Sequence, residues 1–174
     1  MKKNLAFRTA LLLSVIFVLA SLASGADKKA KAQPQKLSPS AILVEPTGAG
    51  DTTIPLEFRY AIYEDLVKEL GASGEGALNK RILRSGNQQA KGISDLVTLR
   101  TTVEKFKEGS QLKRELVYVA GSTQVDLTVS LTSQDGKVLM EKKVTGKVRF
   151  FGDNLGVTHD LAKRIKKLLR ENLS

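Results

Sequence analysis

The sequence predicts an α+β fold, a two-layer sandwich in which a mostly antiparallel sheet carries two amphipathic helices on one face. Three observations predict it. From Asp95 to Phe150 apolar residues recur at every second position, the period of a half-buried strand. On either side of that stretch, two segments repeat apolar residues every three or four positions, the stripe of an amphipathic helix. Strands that alternate apolar and polar residues leave one sheet face in need of cover, and the two helices supply it.

The chain opens with Lys2, Lys3 and Arg8, then an almost wholly apolar run from Leu11 to Leu22, then Ser24-Gly25-Ala26. A positive start, a short apolar run and small residues at the −3 and −1 positions read as a secretory signal peptide over residues 1–26. The run is shorter than the roughly 20 residues of a membrane span. Cleavage after Ala26 would remove Lys2, Lys3 and Arg8 and take the net charge from +10 to +7. The 174 residues contain no cysteine. That excludes disulfides, so packing alone must hold the fold. It also excludes lipid attachment through a cysteine after the signal. The expected location is the periplasm or the exterior, where a basic chain meets few nucleic acids. Its counterparts there are acidic proteins, anionic headgroups or acidic wall polymers.

Residues 27–40 are rich in Lys, Ala, Gln and Pro and read as a disordered tether. A single domain is expected over 41–174. Ala41-Ile42-Leu43-Val44 reads as a buried strand, and Glu45 to Thr53 as a Pro/Gly/Asp loop. The first helix is expected from Pro55 to Leu70. Thr52 or Thr53 would cap it, Phe58, Ile62, Leu66 and Leu70 form its stripe, and Gly71 stops it in left-handed geometry. A short strand is expected near Arg81 to Arg84 in an otherwise Gly-rich stretch.

Val97, Leu99, Thr101 and Val103 then share one face of a strand, and Thr98, Arg100, Thr102 and Glu104 the other. Val125 to Leu131 alternates in the same way. Asp135-Gly136 signals a hairpin, and the return strand sets Val138, Met140, Val144, Val148 and Phe150 on one face. Lys142 and Gly146 interrupt that face and suggest a bulge, a bend or a strand running past the core. Leu116 to Ala120 would allow a further short strand. The last helix is expected to start near Asp153 or Asn154, with Leu161, Ile165, Leu168 and Leu169 as its stripe.

Catalytic chemistry has little to stand on. His159 is the single histidine, so a zinc site of the usual kind cannot be built, and no Gly-x-Ser-x-Gly elbow supplies a nucleophile. The Gly-rich runs at Gly48–Gly50 and Gly71–Gly76 lack the Lys-Ser/Thr ending of a phosphate loop. Glu64 and Asp65 are adjacent on a helix and diverge by roughly 100°. No catalytic residue, metal or cofactor is expected.

The candidate binding residues are cationic. Arg100, Lys143, Lys147 and Arg149 fall on the polar sheet face. Lys163, Lys166, Lys167 and Arg170 crowd the solvent side of the last helix. The leading expectation is a non-enzymatic envelope domain that binds another envelope protein through the open sheet face or an exposed strand edge. The alternative is a peripheral binder of an anionic envelope surface through the basic helix. An enzyme with dispersed carboxylates comes third.

Between Ile93 and Phe150 the chain has Phe106-x-x-Gly109, Arg114, Gly121, the strand Val125 to Leu131 and the Asp135-Gly136 turn. In these it resembles a family of uncharacterised exported bacterial proteins, often lipoproteins, with a domain of unknown function. The chain departs from that family in having no lipid-attachment cysteine, and in Ser122-Thr123 where a second glycine is common. The element order is also similar to the small α+β domains of envelope assembly factors. Examples are the amino-terminal domain of the Tol translocation-associated protein and the curli secretion lipoprotein. That likeness implies protein binding without catalysis.

Overall fold

The computed structural model describes residues 36–109, 122–148 and 155–174. Lys36–Ser174 forms one compact unit. The expected signal peptide, most of the expected tether, Arg114, the strand at Leu116 to Ala120, Gly121, Arg149, Phe150 and the helix caps Asp153 and Asn154 lie outside the described residues.

Five strands form one sheet: β1 (Ala41–Val44), β2 (Arg81–Arg84), β3 (Leu96–Lys107), β4 (Thr123–Ser133) and β5 (Val138–Val148). Their order is β2-β1-β3-β4-β5. The long pairs β3–β4 and β4–β5 are antiparallel, while the four-residue β1 lies parallel to both β2 and β3. The fold is α+β, with a mostly antiparallel sheet. The parallel corner follows from connectivity, because the helix between β1 and β2 returns the chain to the same end of the sheet.

Two helices, α1 (Leu56–Gly71) and α2 (Gly156–Asn172), cover one face. Phe58, Ile62, Leu66 and Leu70 of α1 and Leu161, Ile165 and Leu169 of α2 are buried, as their spacing predicts. They pack on Ile42, Val44, Leu99, Val103, Val125, Leu127, Val129 and Leu131 of the sheet. The helices are tied by the Lys166–Glu69 ion pair at 3.2 Å and by the Thr158 hydroxyl donating to the Asp65 carboxylate. Glu64 goes elsewhere, to Arg84 of β2 at 2.6 Å. That guanidinium holds the Glu64 carboxyl below the usual range.

The helix ends differ from expectation. Neither Thr52 nor Thr53 caps α1. Pro55 occupies the cap position in extended geometry, and its carbonyl accepts from the N–H of Phe58. A proline there costs nothing, since the first helical donors have no partner within the helix. Gly71 ends the helix without a left-handed turn, and the chain leaves through extended Ala72.

The second sheet face is only partly open. At the β1/β2 end, Ala41, Leu83 and Leu96 form a small buried cluster, with Leu43, Ala90 and Ile93 packed on it. Ala90 belongs to a short 3-10 turn, Gln88–Gly92. That cover is the physical reason Leu43 and Leu96, on the polar-face parity, are apolar. Leu37, from the stretch expected to be a tether, bridges Leu173, with its N–H on the Asn172 carbonyl at 3.1 Å.

A β-bulge sits between Val103 and Lys105. Strict alternation would turn Lys105 into the core and Phe106 out. The extra residue, Glu104, reverses this. Phe106 then packs edge-on against Phe58, with ring centroids 4.9 Å apart, and Lys105 pairs in register with Asp126 on the open face. Val138, expected on the buried face, is 54% exposed beside the hairpin, past a register shift at Leu131/Thr132.

Candidate functional site

The sheet has two edges. β2 is four residues long, and β5 is eleven. A long edge is a template for another strand unless it is covered or charged. β3 has no such edge, because the 45–50 loop runs along it beyond β1. Glu45 and Gly48 donate to the carbonyls of Leu99 and Thr101, and Val103 donates back to Gly48.

Among the described residues β5 is covered on one side only. Helix α2 crosses its end so closely that a Cβ at Gly146 would lie 2.5 Å from Leu161 Cγ and 3.1 Å from Val157 Cγ2. Gly146 therefore marks a close helix crossing rather than a bulge or bend. At the same place the Lys147 N–H donates to the Asp160 carboxylate at 3.2 Å instead of to β4. Asp160 also accepts from Arg164 at 2.8 Å. In an antiparallel ladder, outward-facing backbone groups recur every second residue. The Lys147 contact thus sets the parity that turns the N–H and C=O of Thr145, Lys143 and Glu141 outward.

Beyond Asp160, β5 and α2 diverge into an open groove of about 350 Å³. Val144 and Leu168 give it an apolar floor, Lys143 and Thr145 line the strand side, and Arg164, Lys167 and Glu171 the helix side. Lys143 and Lys167 are exposed and carry no ion pair among the described residues. Lys142 and Lys147 flank the groove on the same strand, and Glu141 is the one acid on β5.

The groove joins one residue from each of the two cationic sets that the sequence suggests, Lys143 and Lys167. The rest disperse. Arg100 is held by Glu45 through two contacts, 2.7 and 3.2 Å, which keep its guanidinium firmly protonated. Lys147 lies on the open face at the Asp160 end, and Arg149 lies outside the described residues. Lys166 is spent on Glu69. The Arg170 guanidinium packs over Gly76 and borders a separate small cleft with Lys80. Lys163 is exposed one turn before Lys167 and does not line the groove. Of the four helix cations, Lys166 is paired, while Lys163, Lys167 and Arg170 share the exposed side of α2 at i, i+4 and i+7. Arg164 lines the groove without a mark in the sequence, because helical spacing alone does not say which flank meets β5.

A further groove, about 410 Å³, lies at the other end of the sheet between Leu37–Pro39 and the β4–β5 hairpin. It holds two carboxylates, Asp95 and Asp135. Both are turn residues: Ser94 donates to Asp95, and Ser133 and the Lys137 N–H donate to Asp135. Those bonds push the Asp135 carboxyl below its ordinary value. A general acid at neutral pH needs the opposite shift. His159 is exposed on α2. Among the described residues no helix is long and apolar enough to cross a membrane.

No family model matches the chain, and curated proteins give no match. Solved structures do. The PelC dodecamer from Paraburkholderia phytofirmans, in a variant form, is similar at 13% identity, covering 82% of this chain and 96% of that one, with a TM-score of 0.58. A second PelC dodecamer structure from the same organism gives 12% identity, 82% and 93% coverage and a TM-score of 0.57. A Xanthomonas campestris protein described by the domain of unknown function DUF330 gives 13% identity, 80% and 85% coverage and a TM-score of 0.47. At these identities the likeness to the PelC structures shows the fold alone.

Proposed function

We propose that this chain is a non-enzymatic binding module of the bacterial cell envelope, which captures an acidic partner protein through the cationic β5 side of its sheet. The observation that carries the reading is the groove beside β5, where, among the described residues, the strand edge is uncovered and Lys143 and Lys167 have no ion pair. An exposed lysine gains little from a partner in its own chain, but a rim of them raises the encounter rate with an acidic surface and fixes its register. The signal-like amino terminus supports an envelope location.

Binding to an anionic surface through α2 alone is less well supported, because Lys166 is held by Glu69. Self-assembly is a second reading. The PelC structures are dodecamers, and Leu56 and Tyr60, one turn apart on α1, are 71% and 64% exposed.

Crosslinked co-purification of the tagged full-length chain from its own envelope tests the leading reading. A dominant protein partner at near-stoichiometric yield is expected, and Lys143→Glu/Lys147→Glu should abolish its capture while the far-ultraviolet spectrum stays unchanged. Recovery of lipid or wall polymer alone, or capture indifferent to both reversals, would contradict it. Native mass on the same sample reports self-assembly.

A further inference from the structure

We infer that the partner enters as an extended acidic segment, added antiparallel or parallel to β5 as a sixth strand over Glu141–Thr145, with Asp160 closing the far end of the slot. This rests on the binding role proposed above and specifies its mode. Two independent features converge on it. One is backbone chemistry. The outward groups of Lys143 and Thr145 lie in the groove wall, and the next outward N–H, at Lys147, is already consumed by Asp160. Among the described residues the free edge is then about five residues, roughly 17 Å of strand. An unpaired edge of that length offers a short extended peptide its main-chain bonds without any deep pocket.

The other feature is charge. A strand laid along β5 would place alternate side chains over the open face, near Lys143 and Lys147, and the others over the groove floor of Val144 and Leu168, below Lys167. The complement is a segment that alternates acidic with apolar residues. A second copy of this chain fits poorly. Its β5 would set Lys142, Lys143 and Lys147 against themselves with Glu141 as the lone acid, and its β2 edge presents Arg81. Like charges directly opposite destabilise a strand pair. Charge of one sign along an edge also opposes its pairing with a second copy.

The test uses the full-length chain and a synthetic eight-residue peptide alternating glutamate and valine, with a lysine–valine peptide as counterpart. Hydrogen exchange at the Lys143 and Thr145 amides should slow at least about tenfold with the acidic peptide and not with the basic one. Thr145→Pro removes an outward donor while sparing the ladder to β4, a tolerated place for proline. It should weaken the acidic peptide about tenfold, as expected for a lost hydrogen bond in a desolvated strand pair. Lys143→Glu/Lys167→Glu should weaken it at least as much.

Loss on charge reversal with wild-type affinity in Thr145→Pro would overturn strand addition and leave the acidic-partner reading standing. Indifference to both variants would overturn both. Protection of the same amides that grows with protein concentration and needs no peptide would assign the edge to a second copy and overturn the proposal. If Thr145→Pro does not fold, the exchange measurement on the unaltered chain decides: no slowing at saturating peptide overturns it.

Discussion

Gly146→Val is expected to destabilise the protein by about 1–3 kcal/mol, the usual cost of overpacking a full core. The Cβ alone would stand 2.5 Å from Leu161 Cγ and 2.9 Å from its Cδ2. Leu161 has no exposed surface through which to retreat, and Val157, 3.1 Å away on the same helix, is also fully buried. The helix must lift from β5, and the Asp160–Lys147 contact then lengthens. For a domain of this size each kcal/mol lowers the melting temperature by about 2–4 °C. A double-mutant cycle makes the cause specific. Leu161→Ala alone should cost about 2–5 kcal/mol through the cavity it leaves. Combined with Gly146→Val it should cost clearly less than the sum, because the valine occupies the space vacated. Additive costs in urea unfolding, or a neutral Gly146→Val, would show that the helix does not cross here as described.

Gly50→Ala is the second substitution with a large expected effect. Gly50 has φ +51, in the left-handed region, and its added Cβ would meet the Val103 carbonyl oxygen at 2.6 Å. The conformation costs an alanine about 1–2 kcal/mol before the clash is counted. The clash is with backbone, which no rotamer change relieves. Relief requires the 45–50 loop to leave β3, which would break the Val103 N–H bond to Gly48 and uncover the strand just before its bulge. Hydrogen exchange at the Val103 amide should accelerate together with a lower urea midpoint. An unchanged midpoint would mean the loop is not fastened there.

The helices and the central strands were legible because their apolar residues follow the periods that burial imposes. The stripe Phe58, Ile62, Leu66, Leu70 and the alternation Val125 to Leu131 admit one reading each. What was not legible depends on contacts between elements distant in sequence. Lys105-Phe106 violates alternation, and the violation is itself the sign of a bulge, but only the packing of Phe106 on Phe58 shows which residue is inserted. Gly146 could mean a bend or a close approach until α2 is placed over it. The parallel pairing of β1 with β2 and β3 leaves no trace in so short an apolar run.

The candidate site was legible in kind and not in position. The sequence offers eight cations on the strength of facing solvent. Solvent exposure does not distinguish a free lysine from one whose counter-ion arrives from another element, as Glu45 does for Arg100 and Glu69 for Lys166. Lys143 and Lys167 remain because β5 and α2 diverge beyond Asp160, a feature of helix placement that neither segment encodes alone.

The most direct measurement of the central claim is site-specific photocrosslinking in the intact envelope. A photoreactive residue replaces Lys143 on the β5 edge, or Arg81 on the opposite edge of the sheet. The account predicts one discrete adduct with an acidic protein from position 143, lost when Lys167→Glu is added, and none from position 81. Equal adducts from both edges, or an adduct from position 81 alone, would contradict it.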